Sequence, residues 1–165
     1  MSEKIVLAYS GGLDTSVAIR WLQEHYGADI ATLTMDLGGK VDLEIARQRA
    51  LDIGATRADI LDAREEFIEE YVWPALQAGA LYEGVYPLAT ALGRPLIAKH
   101  LVRIALEESA FAIAHGCTGK GNDQVRFDVS ATALAPSMKV IAPAREWGMT
   151  RDDEIAYAQS NQIPL

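Results

Sequence analysis

Short runs of apolar, β-favouring residues alternate along this chain with longer segments whose apolar positions recur every three or four residues. The short runs predict strands at residues 4–9, 29–35, 57–61, 111–114 and 139–142. Several are apolar without interruption, as strands covered on both faces are. The helical period predicts helices at residues 15–26, 43–53, 64–81 and 95–109, with two more beginning near Asn122 and after Thr150. Pro74 should kink or divide the third helix, and Pro95 suits the first turn of the fourth, behind a loop reading YEGVYPLATALG. Gly54 stands where a helix ends in a left-handed residue. Thr150 and Asp153 have the spacing of a capping box. Strands alternating with helices predict an α/β fold: a doubly wound, mainly five-stranded parallel sheet with helices on both faces.

Composition narrows what such a domain binds. At 165 residues and 50% hydrophobic, the chain fits one cored domain. Its formal charge of -8, from 23 acidic and 15 basic residues, repels nucleic acid and anionic membranes. Any phosphate must therefore be held by local donors. Cys117 is the single cysteine, which excludes an internal disulfide, a CxxC pair and a cysteine-based zinc site. With no leader pattern in MSEKIV and no apolar run of membrane-spanning length, the expectation is a cytoplasmic protein.

Ligands of an open parallel sheet bind outside the carboxyl ends of its strands, where strand order reverses, so the loops carry the chemistry. The first reads Ala8-Tyr9-Ser10-Gly11-Gly12-Leu13-Asp14-Thr15-Ser16. Its glycines permit a tight turn and let a ligand approach bare backbone. The helix start supplies N–H groups, and Ser10, Thr15 and Ser16 supply hydroxyls, a combination that suits a phosphate. Asp14 is equally suited to meeting Mg²⁺ and to capping the helix turn. Neither GxGxxG nor GxxxxGK[ST] is present. A strand followed by SGGLDTS resembles the pyrophosphate loop of the ATP pyrophosphatase superfamily, whose members split ATP into AMP and pyrophosphate while adenylating a substrate.

The loop after residues 111–114 reads AHGCTGKGNDQVRFDVS. Lys120 offers a mobile cation, Asn122 both donates and accepts, Asp123 suits an ammonium and Arg126 a carboxylate. Asn122 and Arg126 lie four apart and share a helix face. As a string, HG-T-GKGNDQVRF resembles argininosuccinate synthase in particular; so do YPLATALGRPLIAK and KVIAPAREW, in the family's order. The resemblance spans nearly the whole chain and implies an adenine nucleotide alpha hydrolase-like, Rossmann-like fold. It implies a ligase that joins citrulline to aspartate through a citrullyl-AMP intermediate, using MgATP and releasing AMP and pyrophosphate.

Carried over by position, the resemblance implies that Ala8 to Ser16, Met35, Gly116 and Lys120 bind ATP. It gives Tyr86, Asn122 and Arg126 to citrulline, and Thr118, Asn122 and Asp123 to aspartate. Where many relatives have a serine five residues after Tyr86, this chain has Ala91, which has no hydroxyl to offer. The family also implies a second, synthetase domain after this one, and a homotetramer. No protein nucleophile is expected, in keeping with the absence of a Ser-His-Asp pattern. His25, His100 and His115 lack metal-ligand spacing and are expected in surface or supporting roles; Cys117 is expected as a small buried thiol. Two alternatives fare worse on residues. A tRNA-modifying pyrophosphatase needs a basic surface and cysteines. A non-catalytic ATP module of the universal-stress type needs a glycine where Val129 stands.

Overall fold

The computed structural model describes residues 3–39 and 42–164. Five parallel strands form one sheet in the order β3-β2-β1-β4-β5: β1 (Lys4–Ala8), β2 (Asp29–Asp36), β3 (Arg57–Asp62), β4 (Ala112–His115) and β5 (Lys139–Ile141). The order reverses between β1 and β4, which makes the gap above their carboxyl ends the place for a ligand. The expected α/β architecture is the one observed.

Alternating side chains of the strands feed two cores. Ile5 and Leu7 of β1 point to one face, where α1 (Leu13–Tyr26) contributes Val17, Ile19 and Leu22 and α2 (Leu43–Ile53) contributes Ala46 and Ala50. Val6 points to the other face and meets Leu101, Val102 and Ala105 of α5 (Ala89–Glu107) and Ala131 of α6 (Asp123–Leu134). Alanines dominate several helix faces, so helices come close to the sheet with little side chain between. Asp42 caps α2 by accepting from the Ile45 N–H at 3.1 Å. Gly54, at φ +117°, closes that helix as the sequence predicts. The Thr150–Asp153 capping box is also formed, at the start of α8 (Arg151–Ser160).

Two helices depart from expectation. The third ends at Gln77 rather than 81 and is continuous through Pro74: α3 (Arg64–Glu66) runs into a π-helical stretch (Phe67–Val72) and then α4 (Trp73–Gln77). The wider turn carries the Trp73 N–H back five residues to Ile68 O, so the proline enters at the start of a new α segment, where its missing N–H costs little. The fourth helix starts at Ala89, placing Pro95 inside it rather than in its first turn. The turns ahead of the proline are tied from outside, because Tyr86 Oη accepts the Thr90 N–H at 3.2 Å. Gly93 lets this helix approach Leu37, whose Cδ1 would lie 3.0 Å from a Cβ there. A short helix, α7 (Pro143–Glu146), follows β5, with Pro143 at its start. Among the described residues no helix is long and apolar enough to cross a membrane.

Candidate functional site

β1 ends at Ala8, in register with Leu33 of β2 on one side and His115 of β4 on the other. Above that point opens a cleft of about 570 Å³, within the range of small-molecule sites. Ala8, Tyr9, Ser10, Gly12, Leu13, Asp14 and Thr15 of the first loop line it, with Met35 from β2 and Gly116 from the loop after β4.

The two glycines of the loop have different work. Gly11 is left-handed, at φ +78°, and a Cβ there would lie 3.1 Å from Ala46 Cβ. Its carbonyl accepts from Arg49 Nη1 at 2.6 Å, which ties the loop down onto α2. Gly12 is extended (φ -84°, ψ 172°) and stands as the N-cap of α1 without a side-chain cap. Beyond it the first-turn N–H groups of α1 have no carbonyl behind them and carry the positive end of the helix dipole. Ser10 Oγ and Thr15 Oγ1 are 3.1 Å apart, and Thr15 donates to Gly12 O at 3.2 Å. Ser16 differs from the expected hydroxyl donor. It is fully buried behind the loop, bonded to Tyr9 Oη at 3.0 Å, and its N–H closes the helix on Gly12 O. The reason is helical geometry, which turns consecutive side chains about 100° apart: Thr15 faces the loop and Ser16 the core.

The loop after β4 meets the first loop directly, since a Cβ on Gly116 would fall 2.8 Å from Thr15 Cγ2. His115 beneath it is almost wholly buried and stacks on Phe127 at 4.9 Å. Its Nδ1 accepts the Cys117 N–H at 3.2 Å and its Nε2 faces Asp128 Oδ1 at 3.1 Å. Those partners require the neutral ring with its proton on Nε2. Burial lowers the histidine's pKa in spite of Asp128, so that tautomer is the one held. Asp128 in turn accepts from Arg145, which also reaches Gln124, and Gln124 donates to Gly119 O at 2.9 Å. The chain of contacts braces the loop at both ends. Cys117 lines the cleft half-buried, and burial pushes its thiol up, away from reactive thiolate.

Lys120, Thr118 and Asn122 lie on the exposed crest of the same loop and do not line the cleft. Asn122 is the N-cap of α6 but makes no side-chain cap; its carbonyl accepts the Arg126 N–H at 3.1 Å. A second cluster forms beside the cleft. Asp123 accepts from Arg126 at 2.8 Å and from Arg94 at 3.1 Å, and Tyr86 stands near enough for both Asp123 and Arg126 to influence its hydroxyl. The structure thus joins Asp123 and Arg126 directly, with Tyr86 bonded to Thr90 on the neighbouring helix, and Arg94, which lines the cleft as well, links Asp123 to the first loop.

Two strand-end loops thus close on one cleft. The profile of the family described as "Arginosuccinate synthase N-terminal HUP domain" matches residues 4–164. The chain belongs to the argininosuccinate synthase family. It is 62% identical over 165 residues to the argininosuccinate synthase of Dehalococcoides mccartyi, covering 100% of this chain and 41% of that protein. It is 61% identical over 163 residues to that of Oceanobacillus iheyensis, covering 99% and 39%. The chain therefore spans about two-fifths of the length of these relatives. Among solved structures, a predicted subunit of tRNA methyltransferase from Methanocaldococcus jannaschii superposes with a TM-score of 0.63 at 16% identity, over 95% of this chain and 74% of that one. NAD+ synthetase from Burkholderia pseudomallei gives 0.63 at 17%, over 99% and 68%. These two show a shared fold.

α8 brings to the first loop a charged cluster that no local sequence pattern announces. Arg151 Nη1 lies 2.5 Å from Asp14 Oδ1 and 3.6 Å from Glu154 Oε2. Burial first, then the charge of Asp14 and a hydrogen bond to its carboxyl, lift Glu154 to about 7. Its Oε2 is buried without a hydrogen-bond partner. A raised carboxyl makes the neutral form a source of stability that is complete below the ordinary 4.5 and lost as pH rises through 7. Glu154→Gln, neutral at every pH, is accordingly expected to melt with the parent at pH 4.5 and above it at pH 8. The gain at pH 8 should be about 1–2 kcal/mol, roughly 3–6 °C, with the salt bridge to Arg151 offsetting part of it; calorimetric melting at both pH values checks this. Arg49, Arg94 and Arg151 carried no local signal, since each is an arginine inside a helix or at a helix start, remote in sequence from the loop it touches.

Proposed function

We propose that this chain is the nucleotide-binding part of an enzyme that condenses L-citrulline with L-aspartate to argininosuccinate, as in arginine biosynthesis. The observation that carries the reading is the juxtaposition, in a chain 62% identical to argininosuccinate synthases, of the SGGLDTS loop and the Gly116 loop over one cleft at the point where strand order reverses.

In the first step the ureido oxygen of citrulline bonds to the α-phosphorus of ATP and the bond to the β,γ-pyrophosphate breaks. In the second, the amine of aspartate bonds to the activated carbon and AMP leaves. Neither step calls for a covalent bond to the protein, so the residues act by placement and charge. Ala8 to Ser10 and Gly12 to Thr15 would hold the phosphates through backbone N–H groups and the Ser10 and Thr15 hydroxyls, while Gly11, which does not line the cleft, would act by shaping the turn. Met35 and Gly116 would flank the nucleoside, and Ser16 would support the loop from behind. Lys120, on its exposed crest, would reach the phosphates only by folding over the cleft. Tyr86, Asn122 and Arg126 would meet citrulline, and Thr118, Asn122 and Asp123 the aspartate. Arg126 would offer its guanidinium to the carboxylate of citrulline and Asp123 its carboxylate to the ammonium of aspartate, and their lying side by side would bring the two substrates together.

Among the described residues no group of three or more His, Cys, Asp or Glu side chains could hold a metal. That fits Mg²⁺ carried in by ATP, bound mostly through phosphate oxygens, with Asp14 as the protein residue that would meet it. The metal would neutralise phosphate charge. The homotetrameric state and the cytoplasmic setting belong to the same proposal, as does a second domain supplying the remainder of the citrulline site.

Two measurements test it. Calorimetric titration with MgATP is expected to show one site per chain; no binding would remove the nucleotide reading. With citrulline and aspartate added, the isolated chain is expected to release AMP slowly or not at all. Brisk release dependent on both amino acids would overturn the assignment as a binding part alone.

A further inference from the structure

The first loop contains no basic residue: from Tyr9 the next cation along the chain is Arg20, which pairs with Glu24 on the outer face of α1. A triphosphate entering a domain of net charge -8 therefore meets backbone donors and hydroxyls with no local positive side chain from the loop itself. Among the described residues the cleft is lined by two arginines, Arg94 and Arg151. Arg94 is turned toward Asp123 in the neighbouring cluster. Arg49 is committed to Gly11 O.

We propose that Arg151 is the cation of the pyrophosphate site, delivered to the first loop by α8 and held ready there by Asp14. This rests on the nucleotide reading given above and adds to it a residue far from the loop in sequence. Three observations carry it. Arg151 lines the same cleft as Ser10, Gly12 and Thr15. Its guanidinium is already at the loop, on Asp14 in the first turn of α1. Its side chain is 64% exposed, so the head can leave the carboxylate for a phosphate without any core rearrangement. The base from which it swings is firm. α8 begins with a complete capping box and packs Ala158 into the core, and Tyr157 Oη donates to Glu24 at 2.7 Å, fastening α8 to α1.

The chemistry suits the exchange. A guanidinium has five N–H donors in a plane and matches phosphate oxygens bidentately, as well as it matches a carboxylate. A phosphate chain carries more charge than Asp14, so it draws the guanidinium forward and frees the aspartate beside it. The arrangement supplies from the far end of the chain the cation that lysine-containing phosphate loops carry within the loop. As the cation of the pyrophosphate site, Arg151 should distinguish ATP and pyrophosphate from AMP.

The test is calorimetric titration of the 165-residue chain with MgATP, inorganic pyrophosphate with Mg²⁺, and AMP. Arg151→Ala and Arg151→Gln are each expected to weaken ATP and pyrophosphate about 10- to 100-fold and to leave AMP within about twofold. Arg20→Ala removes the same charge from the outer face of α1 and is expected to bind all three as the parent does. The assignment is overturned if either Arg151 variant binds ATP within twofold of the parent, if ATP and AMP weaken alike, or if Arg20→Ala loses as much as Arg151→Ala. A parent chain that binds none of the three would instead remove the nucleotide reading on which this stands. Melting curves of both variants show that a loss of affinity is not a loss of fold.

Discussion

Gly12→Val is expected to reduce MgATP affinity at least 100-fold, about 3 kcal/mol, while the chain still folds. The backbone at Gly12 is extended, a conformation open to any residue, and a Cβ there meets nothing closer than Ser10 Oγ at 3.5 Å. A Cβ therefore fits at Gly12 in the ligand-free protein, and valine is expected to be accepted there. It is a poor N-cap, which should cost about 1 kcal/mol and lower the melting temperature by roughly 2–4 °C. The larger effect falls on the ligand. Gly12 lines the cleft at the head of α1, where phosphate oxygens must come within hydrogen-bond distance of bare N–H groups, and two methyl groups occupy that approach. Titration calorimetry beside circular-dichroism melting separates the two effects. Parent-like affinity would take the first loop out of the site.

The neighbouring substitution should do the reverse. Gly11→Val is expected to destabilise the fold by about 3 kcal/mol, a drop of roughly 6–12 °C. At φ +78° a branched side chain is strained before it touches anything, and its Cβ would then press on Ala46 Cβ at 3.1 Å. The loop would have to lift from α2 and stretch the bond from Arg49 to Gly11 O. Gly11 itself does not line the cleft, so any loss of ATP binding should follow from displacement of the loop, and should shrink at temperatures well below the melting transition. A melting point unchanged by Gly11→Val would mean that the turn has another conformation available.

Adjacent glycines with opposite duties show where sequence reasoning stops. SGGLDTS announces a turn built for a phosphate, and nothing in those letters says that the first glycine bends the chain while the second faces the ligand. That distinction comes from Ala46, thirty-odd positions away, and from the strand register that sets α2 beneath the loop. The same limit applies at Ser16, which has the hydroxyl a phosphate loop would use and turns it to Tyr9 instead. For His115 the sequence leaves a surface or a supporting role open, and the fold decides for support. In the fold it is buried between Phe127 and Asp128, with both ring nitrogens engaged in bracing the Gly116 loop.

The helices tell a similar story at lower cost. α2 and the capped start of α8 were legible to the residue, because Gly54 and the Thr150–Asp153 pair act within a few positions of themselves. The start of α5 was not, since Pro95 reads locally as a first-turn residue. The helix begins six residues earlier, with Tyr86 Oη accepting the Thr90 N–H in its first turn. Pro74 likewise reads as a break, and a π-helical turn ahead of it carries the chain through.

What the sequence determined by itself was whatever depends on near neighbours or on a pattern repeated along the chain. That covers the alternation of buried strands and amphipathic helices, the caps at Gly54 and Thr150, the phosphate-fitted loop and the family's ordered motifs. The tertiary structure alone decided which charges meet. Arg151 lies 137 positions from Asp14 in sequence, Arg49 38 from Gly11 and Arg94 29 from Asp123. Each reaches its partner only because parallel strands carry their loops to a common edge. An arginine's reach is a few ångströms and its sequence neighbours say nothing of what lies there, so the site's cations became visible only once the sheet had set the distances.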